Sequence, residues 1–181
     1  MPLKGFCGAL ILTTAGFAVA AESLQFTFDF SPADVALTQE GEYVRVDLKQ
    51  AGLSADDLAG RPWLPSRNIN VLLPQNARDA QVAAVSDEIL VATNILVLPA
   101  QPPQPLSLPA SSFVLPDLAV YQRDAVFPQE SAVAAAHQTI RGNTFLPVRL
   151  NPVRYNPAQG RLYLAKRIVL TVEYGNARAA G

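Results

Sequence analysis

The chain has 181 residues, half of them hydrophobic, which is room for one domain and enough apolar surface to build its core. Its 14 Lys and Arg against 15 Asp and Glu give a formal net charge of −1. The basic residues are scattered, which excludes the concentrated positive footprint of a nucleic-acid binder.

Reading from the N-terminus, residues 1–20 have the form of a signal peptide. Lys4 supplies the positive start, residues 5–19 are a mostly apolar run without charge, and Ala18, Val19 and Ala20 give the small-x-small cleavage pattern. Cleavage is expected between Ala20 and Ala21, which makes the protein secreted or periplasmic. The run is shorter than the ~20 apolar residues of a bilayer crossing, although a retained anchor helix stays as the alternative. Lipidation of Cys7 is disfavoured by the bulky Phe6 before it. Removing residues 1–20 takes away Lys4 and no acid, so the net charge moves to about −2. Cys7, the one cysteine, leaves with the leader, so the mature chain has neither disulfide nor thiol. It is left to its hydrophobic core for stability, with no membrane association.

Strand signals dominate the mature part. Residues 24–30 (LQFTFDF) and 42–48 (EYVRVDL) alternate apolar and polar with period two, as half-buried strands do. Residues 68–73 are rich in Ile, Val and Leu and stop at Pro74. Residues 80–85 and 89–98 are further β-type runs, with Ser86, Asp87 and Glu88 read as a turn between them. Helix signals are sparse: a single capped turn at residues 54–57, closed by Gly60, and a short alanine run at 131–138. Fifteen prolines argue against long helices. The predicted fold is all-β, an antiparallel β-sandwich.

The middle, residues 99–116, is rich in proline and cannot be a central strand, because proline fixes φ and donates no hydrogen bond. It is expected to cross the surface in an extended form, either as a stiff connector or as a segment that lies on a partner. Residues 144–155 lead into Asn156, Pro157 and then Gly160. Asn-Pro opens a type I turn and Gly160 supplies a left-handed residue, which predicts a C-terminal β-hairpin. In its second arm Leu162, Leu164, Ile168, Leu170 and Val172 share one parity, while Arg161, Arg167, Thr171 and Glu173 share the other. Residues 176–181 read as a frayed tail, so the predicted domain spans residues 21–175.

No catalytic constellation is present. Without cysteine there is no Cys/His dyad, and His137, the one histidine, reads as a surface or turn residue. No Gly-x-Ser-x-Gly elbow activates a serine. The adjacent acids Asp56 and Asp57, and Asp87 and Glu88, lack the alternating oxygen ligands of a calcium loop. No phosphate-binding glycine loop follows a strand, and neither metal nor cofactor is expected. The chain is therefore expected to act through a surface rather than through chemistry.

The order of motifs resembles the N-terminal propeptide of gingipain-type cysteine peptidases. Gly60, Pro62, Leu64 and Pro65 stand as a G-x-P-x-L-P segment, followed by the strand end at residues 71–74. The proline-rich run at 99–105, Tyr121 with Phe127 and Pro128 in a Y…(F/Y)-P pattern, and the closing hairpin through Asn156, Pro157 and Gly160 complete the set. The resemblance covers about residues 24–174. It implies a non-catalytic β-sandwich prodomain that helps a caspase-like peptidase domain fold and keeps it inactive. In that family the peptidase cleaves after Arg or Lys. The family's catalytic His and Cys have no positions here, so a stand-alone prodomain, a fragment of a longer precursor and a reused domain all stay open.

An inhibitor of such a peptidase needs a basic side chain held near the specificity pocket in an uncleavable geometry. Arg123, between Tyr121 and Phe127, and Arg141, before Gly142, are the candidate inhibitory residues. Tyr121 and Phe127 are the candidate partner contacts. A structural or adhesive β-sandwich binding glycans or cell-envelope partners is the alternative, with Trp63 the one tryptophan available for sugar stacking.

Overall fold

The computed structural model describes residues 22–53, 59–75, 77–103 and 112–176. The predicted leader with its Ala20/Ala21 cleavage site, the capped turn at 54–57 and the centre of the proline-rich stretch lie outside the described residues. So do residues 177–181 of the predicted tail.

Eleven strands and one short α-helix follow in chain order among the described residues, with a 3-10 turn at Pro32–Asp34 between the first two strands. They are β1 (Glu22–Asp29), β2 (Val35–Glu40), β3 (Tyr43–Leu48), β4 (Gly52–Leu53), β5 (Pro65–Leu73), β6 (Ala77–Ala92), α1 (Leu118–Tyr121), β7 (Ala132–Ala134), β8 (Gln138–Ile140), β9 (Asn143–Leu150), β10 (Val153–Asn156) and β11 (Arg161–Asn176). β11 is the spine of the first sheet. β6 pairs antiparallel along one of its edges, while β10 and then β1 share the other end to end. In the second sheet β5 pairs with β9; β4 lies beyond β5, and β7 and β8 pair along β9. β2 and β3 form a hairpin of their own. The fold is the expected antiparallel β-sandwich with a C-terminal hairpin.

The core lies between the sheets. Leu162, Leu164, Ile168, Leu170 and Val172 of β11 are all fully buried, and they join Val71, Leu73, Leu146, Val148 and Leu150 of the second sheet in one cluster. Each such aliphatic side chain contributes about 1.5–3 kcal/mol on burial. The parity read from the sequence is interrupted at one place. Between Ala165 and Arg167 the register with β6 shifts, so Ala165 turns inward and Lys166 outward.

Three local expectations are corrected. Residues 86–88 are not a turn but the middle of β6, a 16-residue strand held straight through by its partner β11. That strand ends at Ala92 instead of running on to residue 98. The alanine run at 131–138 is not helical, because residues 132–134 pair with β9 as β7. Nor does the proline-rich segment begin as a surface run. Pro99 bridges Pro62, and Ala100 is buried, donating its N–H to Arg61 O at 2.7 Å and accepting from Gly60 N at 2.8 Å. Gln101 then clasps Val114: its amide donates to Val114 O at 3.0 Å and accepts from Val114 N at 2.8 Å. A side-chain amide thereby replaces a ladder pair where proline leaves few backbone donors.

Candidate peptidase-facing surface

The G-x-P-x-L-P segment is the anchor for everything that follows residue 99. Gly60 has φ of 86° and its backbone is threaded between two strands of chain: its N–H goes to Ala100 O, and its carbonyl accepts from Asp117 N at 2.8 Å. A Cβ there would stand 3.1 Å from Leu115 O, so both the positive φ and the space require glycine. Pro62, Leu64 and Pro65 are buried, and Trp63 N–H donates to Leu98 O.

Asp117 then caps α1 by accepting from Ala119 N. Tyr121 closes the helix facing inward, only 8% exposed, and donates its hydroxyl to Val97 O at 2.8 Å. Burial pushes that phenol well above its ordinary value. Tyr121, expected as a contact residue, therefore supports this surface from beneath and offers the partner no ring face. Arg123 follows, exposed, with no ion pair or side-chain hydrogen bond among the described residues.

Phe127 exchanges both backbone hydrogen bonds with Tyr155, at 2.8 and 2.7 Å. Arg154 fixes the next residues: it donates to Pro128 O and Gln129 O and pairs with Glu88 at 2.6 Å. Phe127 and Pro128, with Arg61, form a ridge between two clefts. One, of about 340 Å³, is walled by Arg123, Val120, Val126 and Val133. The other, of about 280 Å³, is walled by Leu64, Ser66, Arg149 and Val153. Phe127 is partly exposed and packs against the core on its other side, and Arg123 stands on a concave wall.

Arg141 is placed differently. Ile140 pairs with Asn143, leaving Arg141 and Gly142 as a two-residue hairpin loop with φ of 52° and 80°. Positive φ at both positions is the signature of a type I′ turn. Nothing lies within 4 Å of where a Cβ on Gly142 would stand, so the tip projects into open space. Arg123 shares its cleft with Val133, which is paired with Arg149, six residues along β9 from Asn143. That is about 20 Å. The structure therefore does not bring the two candidate arginines together, and one specificity pocket cannot receive both.

The closing hairpin is built from Asn156, Pro157 and Gly160. Asn156 Oδ1 accepts from Gln159 N, and Gly160 has φ of 59°. Asp124 ties this turn to the Arg123 segment by accepting from Asn156 Nδ2 at 2.8 Å and Gln159 Nε2 at 2.7 Å. These two donors hold its carboxyl below the usual range. Sequence reasoning missed the clefts and their shared Arg61, although Arg61 stood inside the recognised segment. It also missed an exposed apolar trio beside α1, Phe113, Leu115 and Leu118. Val114 between the first two and Pro116 with Asp117 before the third leave no sustained helix or strand period to read.

Among the described residues no group of three His, Cys, Asp or Glu side chains is placed to hold a metal ion, and no helix is long and apolar enough to cross a membrane.

Two solved structures share the fold. One is a complex of Porphyromonas gingivalis RgpB pro- and mature domains. It is 19% identical with a TM-score of 0.67, over 92% of this chain and 88% of that one. The other concerns the zymogenic latency of gingipain K from Porphyromonas gingivalis. It is 22% identical with a TM-score of 0.68, over 91% of this chain and 97% of that one. No curated protein matches. The Propeptide_C25 family model matches residues 23–181, and the chain belongs to that family, the non-catalytic prodomains of gingipain-type peptidases.

Proposed function

We propose that this propeptide docks on a gingipain-like cysteine peptidase catalytic domain, helps it fold and holds it inactive outside the cytoplasm. The observation that carries the reading is the family match over residues 23–181, nearly the whole chain. The match begins just after the expected cleavage site, which supports export. Both similar structures concern prodomains, one together with a mature domain and one in zymogenic latency.

Geometry favours Arg141 of the two candidate arginines. An enzyme pocket is concave and takes a side chain from a convex feature. Arg141 sits on such a feature, whereas Arg123 lines a cleft. At φ of 52° the backbone of Arg141 is far from the extended form a peptidase cleft grips, so the bond to Gly142 is presented misaligned for attack. Phe127 on its ridge and the exposed Phe113, Leu115 and Leu118 supply apolar contact area elsewhere on the surface.

The experiment is inhibition in trans by single variants, with the peptidase of the same organism. Arg141→Ala should weaken inhibition by about 2 kcal/mol or more, the scale of an interface hot spot. Arg123→Ala should change it much less. Equal inhibition by the two variants and the parent protein would remove the role of Arg141. A complete lack of binding by the parent would favour the adhesive sandwich instead.

A further inference from the structure

β6 is an edge strand. Its ladder runs to β11, and among the described residues no strand pairs with its other side. Among the described residues its one further backbone bond is from Ala77 N to Pro74 O, at its very start. β7, at the edge of the second sheet, meets it through side chains, with Ser86 Oγ 2.9 Å from Ser131 Oγ. Folded proteins usually blunt a long edge with proline, lysine or a bulge in its middle. β6 has 16 residues with no proline and no lysine, and its charges stand toward the two ends: Arg78 and Asp79, then Asp87 and Glu88. From residue 81 to residue 90 it carries no inserted residue. On its outer face Ala83 is exposed, and Val85 is 73% exposed.

We propose that this edge of β6 receives the same edge of a second copy of the chain, antiparallel about a two-fold axis at Ala83. The charge pattern argues for a second copy. Antiparallel self-pairing about Ala83 sets the uncharged run 80–86 against itself and, with Asp79 and Ala80 bulged into one position, sets Arg78 of each copy opposite Asp87 of the other, while Glu88 stays with Arg154. Arg78 has no ion pair among the described residues, so it is available for that role. A two-fold normal to the sheet keeps each face on its own side. Val82 and Ala84, which pack against the core, then continue one inner face across both copies. Two four-stranded sheets become one of eight. An extended strand from an unrelated protein has no reason to match this pattern at both ends.

The test is sedimentation of the purified protein from about 1 μM to about 1 mM, the range in which an interface of modest area assembles. The mass is expected to rise toward twice that of the chain. Ala83→Lys and Ala83→Glu, whose side chains face solvent, should each stay monomeric throughout, because like charges then meet across the axis. An equimolar mixture of the two should recover the dimer. Val85→Lys and Val85→Glu, two residues along the same face, should behave alike. A parent protein that is monomeric over the whole range overturns the proposal. So does a dimer that all four variants leave unchanged.

Discussion

Gly160 is required twice over. Its φ of 59° is disfavoured for a side chain, and a Cβ would stand 3.2 Å from Ile95 O and 3.3 Å from Asn94 Cα. Gly160→Val should therefore destabilise the domain by roughly 1–3 kcal/mol, read as a lower denaturant midpoint with unchanged slope. The need for glycine was legible in the sequence, because Asn-Pro-x-x-Gly is a local turn signal. The approach of residues 94 and 95 was not, since nothing local announces a neighbour 65 residues away. Tyr121 shows the same divide. Its place in a motif was visible, but its inward direction follows from the helix turn at residues 118–121 and a hydroxyl bond to Val97 O. Tyr121→Phe leaves that buried carbonyl without its donor and should cost about 1–3 kcal/mol, by the same measurement.

Elements were legible where the pattern was their own and obscure where a partner decided. The alternation of β1, β3 and β11 could be read directly, because one face of each meets the core. Residues 86–88 carry turn chemistry, yet β11 pairs with all three of them, bulging at Lys166 between the partners of Asp87 and Glu88, and β6 continues as a strand. Here Ser86 bonds Ser131 and Glu88 meets Arg154, so polar residues that looked like a loop satisfy one another across strands. Arg154→Ala removes that ion pair and the two bonds to Pro128 O and Gln129 O. It should cost about 2 kcal/mol, given its partial exposure, and loosen the Phe127 ridge, which slower proteolysis of the parent than of the variant would reveal. The tie from Asp124 to the closing hairpin is pH-dependent. A carboxyl whose value is lowered by folding adds stability above its ordinary 3.8, and that stability is lost as pH falls through the folded value. Asp124→Ala should therefore lower the melting temperature at neutral pH, and the difference from the parent should shrink well below pH 3.8.

For the whole molecule, sequence reasoning reached the sandwich and the family by the order of motifs, since each motif alone is weak. It could not rank Arg123 against Arg141, because convexity is a property of the assembled surface. The chain carries a prodomain's fold with one arginine displayed on a hairpin tip and another set back in a cleft. Gln101 clasps Val114 and holds the two ends of the proline-rich crossing together, which would lower the ordering cost of the proposed docking. The measurement that bears most directly on this account is a titration of the cognate peptidase catalytic domain with the purified propeptide, following cleavage of an Arg or Lys substrate. Activity should fall saturably toward zero as the propeptide approaches one equivalent over enzyme, with a complex of the two chains burying ~1,200 Å² or more in total. Full activity at tens of micromolar propeptide, with no complex detected, would contradict it.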